Sequence, residues 1–578
     1  MLRRLYPYTR GYRKWIAAGI VCSAMDAIFQ LLIPLVMADI VDVGVANGDV
    51  SFIVRKGVQM VVMAMVALLF GLGSAAFSSR AGMGFGANLR EAEYACVQDF
   101  SFSNIEKFST ASLVTRLTSD VNAMQMTLMM GMRLLVRAPV MLVAALVLSI
   151  RLSAQLSRVF LVSIPLLAVF IAALMMKVGP LFRSLQEKTD ALNLVVQEDL
   201  TGIRVVKSFV REDHEQEKFA GRNDSLRSTS EQAFGAVVVN MPVMMLIIYG
   251  TIIAVMWFGG RMVYAGTLPV GDLTAFFSYI TEILISLMMV SMIFMMMTRS
   301  IACARRICEV LDEKPAISND RAVPGAEVEA GSIDFDHVSF RYGAEDTSWT
   351  LEDVDLHIPA GATVGILGGT GSGKSTLVSL IPRLYEAQEG TVRVGGRPVA
   401  DYTMEHLRDA VSVVLQKNTL FSGTVRENLL WGDPNATEEQ LLAACRAACA
   451  DEFLDRLPNG LDTDLGQGGV NVSGGQKQRL CIARAILKQP KILILDDSTS
   501  AVDTATDAKI RRAFREELKD TTKLIIAQRV SSIADADTIL VMDHGRLAAQ
   551  GTHAELMESC EIYRDVYKSQ QEGVSIGG

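Results

Sequence analysis

At 578 residues the chain is too long for one hydrophobic core, so two or more domains are expected. Hydrophobic residues make up 50% and mean hydropathy is +0.30, which points to membrane segments rather than a wholly soluble protein. A formal net charge of -8 gives no global basic field for nucleic acid, and the cysteines form no CxxC pair or Cys/His cluster that would support a metal or disulfide framework.

The chain begins with Arg3, Arg4, Arg10, Arg13 and Lys14 ahead of an apolar run. The positive-inside rule places that end in the cytoplasm. The run is too long for the core of a cleavable signal, and no cleavage site is evident. Six apolar segments of near-spanning length are expected, at about Trp15–Met37, Val58–Phe77, Leu134–Ile150, Arg158–Val178, Phe234–Phe258 and Leu273–Thr298. An even number returns the chain to the cytoplasm, so a multi-pass protein of the cell membrane, in contact with the lipid bilayer, is predicted. Two long connections, Ser78–Arg133 and Gly179–Ala233, keep helical apolar spacing, as at Leu192, Val195, Val196 and Leu200. They read as helices continuing below the bilayer rather than as disordered loops.

Ionisable residues inside a membrane are costly and need a reason. Asp26 in the first segment and Glu282 in the sixth could face a watery cavity and attract a cationic substrate. Each could instead pair with a nearby arginine or sit near the interface. Methionines crowd the fifth and sixth segments, among them Met241, Met244, Met288, Met289 and Met292. Flexible thioethers suit varied apolar ligands, and they suit ordinary packing equally well.

Residues 1–312 are expected to form the membrane domain with its helical extensions, 313–331 a linker carrying Pro315 and Pro324, and 332–578 a second domain. Alternating Ile333, Phe335, Val338 and Phe340 announce its first strand, and Tyr342 follows as an aromatic able to stack on a purine. The apolar run 363–367 then leads into Gly368-Gly369-Thr370-Gly371-Ser372-Gly373-Lys374-Ser375, with Thr376 next. Strand, glycine loop and helix is the setting in which G-x-x-x-x-G-K-S binds nucleotide phosphates. The glycines let backbone N–H groups turn inward, Lys374 reaches the β- and γ-phosphates, and the Ser375 hydroxyl can ligate Mg²⁺. ATP or GTP with Mg²⁺ is the ligand this implies. Gln416 ends the run 411–415 and can reach Mg²⁺ or water. Ser473-Gly474-Gly475-Gln476 opens a helix as a second anion-binding N-terminus. Asp496 closes the buried strand 492–496, placed to hold Mg²⁺ through water.

In this order and spacing, the phosphate loop, the segment Val472–Gln476 and the acid-ended strand resemble the ABC transporter family, specifically exporter-type half-transporters that fuse six membrane helices to one ATPase domain. The likeness covers nearly the whole chain. It implies an all-α six-helix membrane domain joined to an α/β P-loop domain, ATP as cofactor, and export of small amphipathic molecules by alternating access. It implies adenine stacking by Tyr342, a Q-loop at Gln416, a signature motif at Ser473–Gln476 and a D-loop at Ser500–Asp503. Segments 108–121 and 198–209 look like the intracellular loops whose short helices press on the nucleotide domains.

Three positions depart from the family pattern. Asp497 stands where a glutamate normally polarises the attacking water. Gln528 stands where a histidine normally meets the γ-phosphate. Gln467 lies in Gly466-Gln467-Gly468, where a glutamate is common. Such domains work as head-to-tail pairs, each ATP lying between one chain's phosphate loop and the other's signature. The expectation is therefore a heterodimer, in which this chain's own site is degenerate and its intact signature serves the partner. The alternatives are a homodimeric exporter and an ATP-gated regulator or channel that does not pump.

Overall fold

The computed structural model describes residues 2–343, 348–497 and 503–576. The chain divides into two compact units, Met1–Gln98 with Ala111–Glu313 and Asp99–Thr110 with Lys314–Gly578. Among their helices are α1 (Arg13–Asp39), α2 (Val50–Asp99), α3 (Phe102–Phe108), α4 (Val121–Leu152), α5 (Phe160–Thr201), α6 (Glu212–Val238), α7 (Asn240–Tyr264) and α8 (Val270–Asp312). Of these, α3 belongs to the second unit.

The first unit is all helical. Among the described residues six stretches are long and apolar enough to cross a membrane; the first five carry segments expected from the sequence, and the sixth, Val270–Val290, covers most of Leu273–Thr298. The fifth lies a little later than the sequence suggested, because the helix breaks at Val239 and its apolar part runs as α7 to Tyr264. At 1.5 Å per residue, α2 is about 75 Å long and α5 about 63 Å, against a hydrocarbon core of about 30 Å. Both therefore continue well past the bilayer, as their spacing predicts. Large apolar side chains such as Leu69, Leu161, Val169 and Leu246 are exposed, which suits lipid and not water. Inward-facing Leu31, Met141, Leu167, Phe276 and Tyr279 form one core. The Tyr279 hydroxyl satisfies itself on the Leu31 carbonyl at 2.9 Å. A second core, near the other end of the helices, gathers Leu5, Phe85, Leu89, Val121 and Ile307.

Among its described residues the second unit holds two sheets. Strands β1 (Ile333–Phe340), β2 (Leu351–Ile358), β3 (Thr363–Gly368), β4 (Glu389–Val394), β5 (Arg397–Pro398), β6 (Val411–Val414), β7 (Ile492–Asp496), β8 (Thr522–Ile526), β9 (Thr538–Asp543) and β10 (Arg546–Gly551) run in sequence order. The antiparallel sheet is ordered β2-β1-β4-β5 and the larger one β10-β9-β3-β8-β7-β6, parallel except for β10. Every residue of β7 and β8 is buried, as continuous apolar runs in a doubly covered parallel sheet should be. This order decides where the chemistry lies. Strand β8 sits between β3 and β7, so the ends of three strands far apart in sequence open on one edge.

Candidate functional site

The phosphate loop leaves β3 at Gly368 and enters α9 (Lys374–Leu380). Two glycines are required by geometry. Gly368 has φ 159°, and a Cβ there would strike the Met542 carbonyl; Gly373 has φ 92°, with Leu351 and the Thr350 carbonyl in the way. Lys374 donates to the carbonyls of Gly368 at 2.9 Å and Gly369 at 2.6 Å, so its ammonium stands over the mouth of its own loop. Burial lowers its pKa, while Asp496 and Asp497 oppose that shift.

At the end of β7, Asp496 accepts a hydrogen bond from the Ser375 hydroxyl at 3.0 Å. Burial pushes the Asp496 carboxyl above the usual range and Asp497 adds to this, against the Ser375 hydrogen bond and the Lys374 charge. A hydroxyl and a buried carboxylate thus converge beside a cation, a donor set suited to a magnesium-bound phosphate. Asp497 is buried and holds φ 46°, a left-handed backbone that aspartate tolerates better than most residues. Its carboxylate accepts from the Gln528 side-chain amide at 2.7 Å, across the turn that leaves β8. The two departures from the family pattern therefore meet each other.

Tyr342 is half exposed, with its hydroxyl 2.9 Å from that of Thr376. Its ring stands edge-on to Phe340 and to Tyr385, with centroids at 5.0 and 5.1 Å. No pattern in the sequence marks Tyr385, whose hydroxyl donates to Glu106 of α3 at 2.7 Å. Phe102 packs against the same ring, and Asn104 bonds the Lys314 carbonyl and the Ala316 amide. Helix α3, just ahead of the segment 108–121, is thus seated beside the Tyr342 and Tyr385 rings. Gln570 is likewise unmarked in the sequence. It donates to the Gln528 carbonyl at 2.7 Å and accepts from the Val530 amide, pinning the turn that carries Gln528.

Other expected residues lie apart from this cluster. Strand β6 ends at Val414, so Gln416 falls beyond it, exposed and without a side-chain hydrogen bond among the described residues. Ser473 caps α10 (Gly474–Leu487) through a reciprocal capping box with Gln476, and Ser473 and Gly474 are exposed. Within the D-loop, Ser500, Ala501 and Val502 lie outside the described residues. In the membrane unit, Asp26 is buried but not free. Arg137 donates to it at 3.0 Å, and Gln30 bridges the pair at 2.8 and 2.7 Å. The arginine pairing is thus the reading that fits Asp26, and its charge is not available to a cation. Glu282, half-buried on α8, has no hydrogen-bond partner among the described residues.

Residues 16–288 match the ABC transporter transmembrane region family and residues 351–500 the ABC transporter family. An uncharacterized ABC transporter ATP-binding protein of Mycobacterium tuberculosis is 38% identical over 582 residues, covering 100% of both chains. The chain belongs to the ABC transporter family. As an ABC transporter it is also 31% identical to an ATP-dependent lipid A-core flippase of Desulfotalea psychrophila, over 99% of each chain. The solved structure of a bacterial Atm1-family ABC exporter with ATP bound superposes with a TM-score of 0.81 at 25% identity, over 97% of this chain and 98% of that one. The protein is an exporter-type half-transporter whose ATPase domain is coupled to transport.

Proposed function

We propose that this ABC transporter is one half of a heterodimeric exporter in the cell membrane, moving small amphipathic molecules out of the cytoplasm, and that its own nucleotide site hydrolyses poorly. The observation carrying this reading is the hydrogen bond from Gln528 to Asp497. A base that must polarise water needs a free lone pair aimed at it. Here the carboxylate is one methylene shorter than the usual glutamate, and an amide occupies one of its oxygens. Misplacing a base by about 1 Å costs on the order of 10²-fold in rate.

Binding of the nucleotide is a separate matter. The inward-turned loop, Lys374 and Tyr342 suit ATP, and Ser375 with Asp496 would hold its Mg²⁺. When bound, the metal neutralises phosphate charge. Lys374 would exchange the loop carbonyls for phosphate oxygens. The exposed, pre-capped N-terminus of α10 suits the nucleotide of a partner, since its N–H groups are presented outward. Seating α3 on the ATPase domain supports coupling, because closure around ATP would then be felt directly by the intracellular helices. The flippase among the relatives favours an amphipathic cargo.

The test is ATP turnover by the purified chain, alone and co-expressed with a half-transporter bearing the usual glutamate and histidine. Turnover confined to the pair is expected. A homodimer with full transport-coupled turnover overturns the reading.

A further inference from the structure

Four membrane-crossing helices enclose a cavity of about 280 Å³ lined by α1, α2, α4 and α8. Its charges come from Asp26, Arg133 and Arg137, two cations against one anion, and Glu282 is not among the lining residues. Arg137 is already bound by Asp26 and Gln30, so it is fixed in place with its charge answered. Arg133, one turn away on α4, is exposed and has no ion-pair partner among the described residues. The Ser23 hydroxyl holds the Arg133 carbonyl at 3.2 Å, which anchors that turn of α4 to α1. Arg133 immediately precedes the apolar segment Leu134–Ile150, so its guanidinium stands at the membrane end of that segment with no anion bonded to it among the described residues.

A second, independent observation comes from α2. Ser74 lines the same cavity, is 3% exposed, and its hydroxyl has no hydrogen-bond partner among the described residues. Buried hydroxyls are normally satisfied, and an orphan on a cavity wall is an open donor. Beside these two donors stand apolar Leu134, Met130 and Met289.

We propose that this cavity takes the anionic headgroup, phosphate or carboxylate, of an amphipathic substrate, with Arg133 as its counter-ion and Ser74 as a hydrogen-bond donor. Asp26 and Gln30 act as positioning residues that hold Arg137 and so keep the pocket from collapsing onto its own charges. The substrate is thereby anionic rather than the cationic one that Asp26 and Glu282 first suggest. The inference rests on the exporter reading above and names the class of its cargo.

The experiment uses the full-length chain in lipid nanodiscs, with dodecyl phosphate, dodecyltrimethylammonium and inorganic phosphate as probes. Dodecyl phosphate is expected to bind about tenfold or more tightly than the ammonium, since one charge-assisted contact is worth about that factor. Arg133→Gln should remove most of that preference without changing ammonium binding. Ser74→Ala, which takes away only a hydroxyl that holds nothing, should lower phosphate-amphiphile affinity about threefold. Equal binding of the two amphiphiles, or indifference to Arg133→Gln, overturns the proposal. Inorganic phosphate binding as tightly as dodecyl phosphate overturns its amphipathic part. ATP-driven uptake into vesicles by the paired assembly separates the two readings. If dodecyl phosphate binds through Arg133 but is never moved, the site stands and the exporter reading falls. If the ammonium is pumped and the phosphate is not, the exporter stands and the anion site falls.

Discussion

The side-chain amide of Gln528 donates to the carboxylate of Asp497 at 2.7 Å, tying the ends of β8 and β7 together beside the phosphate loop. Two residues 31 apart, each unusual for the family, are thus one structural unit.

Because they act together, they should respond together. Asp497→Glu with Gln528→His is expected to raise turnover at this chain's own site about 10²–10⁴-fold, the range of a restored general base. Either change alone should give much less, since residues acting as a unit are not additive. Steady-state phosphate release by the purified chain measures this. No gain in the double variant would mean that another feature limits hydrolysis.

Lys374→Ala separates holding from hydrolysis. Removing an ammonium that would bond phosphate costs about 1.5–3 kcal/mol, or about 10–150-fold in ATP affinity. Equilibrium binding of a fluorescent ATP analogue reads it directly. In the proposed heterodimer, the partner's site, to which Ser473 would contribute, should keep most of its turnover. Ser473→Arg should do the reverse, blocking the partner's site while this chain still holds its nucleotide.

Glu106 on α3 and Tyr385 on the ATPase domain share a hydrogen bond that carries no chemistry. Glu106→Ala should cost about 1 kcal/mol of seating energy. Basal ATP turnover should stay, and its stimulation by transported substrate should fall. Unchanged stimulation would show that α3 does not transmit closure.

Glu93, on the part of α2 beyond the bilayer, is fully buried, with both carboxylate oxygens unpaired among the described residues. Burial, then the nearby Asp120, push its pKa up to about 8, against the pull of Arg116. In the folded state it binds a proton that the unfolded chain has lost above about 4.5. Stability should therefore fall as pH rises from about 4.5 through about 8, by about 3 kcal/mol at pH 7. Glu93→Gln should flatten that slope, raising Tm at pH 8 and leaving it unchanged near pH 5. Thermal unfolding across pH measures both.

Much of this protein is legible in its sequence because the relevant physics is local. A membrane span is a property of about 20 consecutive side chains. The turn of a phosphate loop is a property of its own glycines, as Gly368 and Gly373 show, and the N-terminus of α10 is set by Ser473 and Gln476 within one turn. The six spans, the glycine loop, the signature and Asp496 are all of this kind.

What the tertiary structure alone decided depends on which strand or helix lies beside which. The order β3-β8-β7 brings Gln528 to Asp497 and Ser375 to Asp496. The end of β6 at Val414 leaves Gln416 outside that cluster. The packing of α4 on α1 gives Asp26 its arginine, and α3 reaches Tyr385 across 279 residues. No window of neighbouring residues encodes such pairs, because they follow from the register and packing of whole elements, fixed only when the chain has folded.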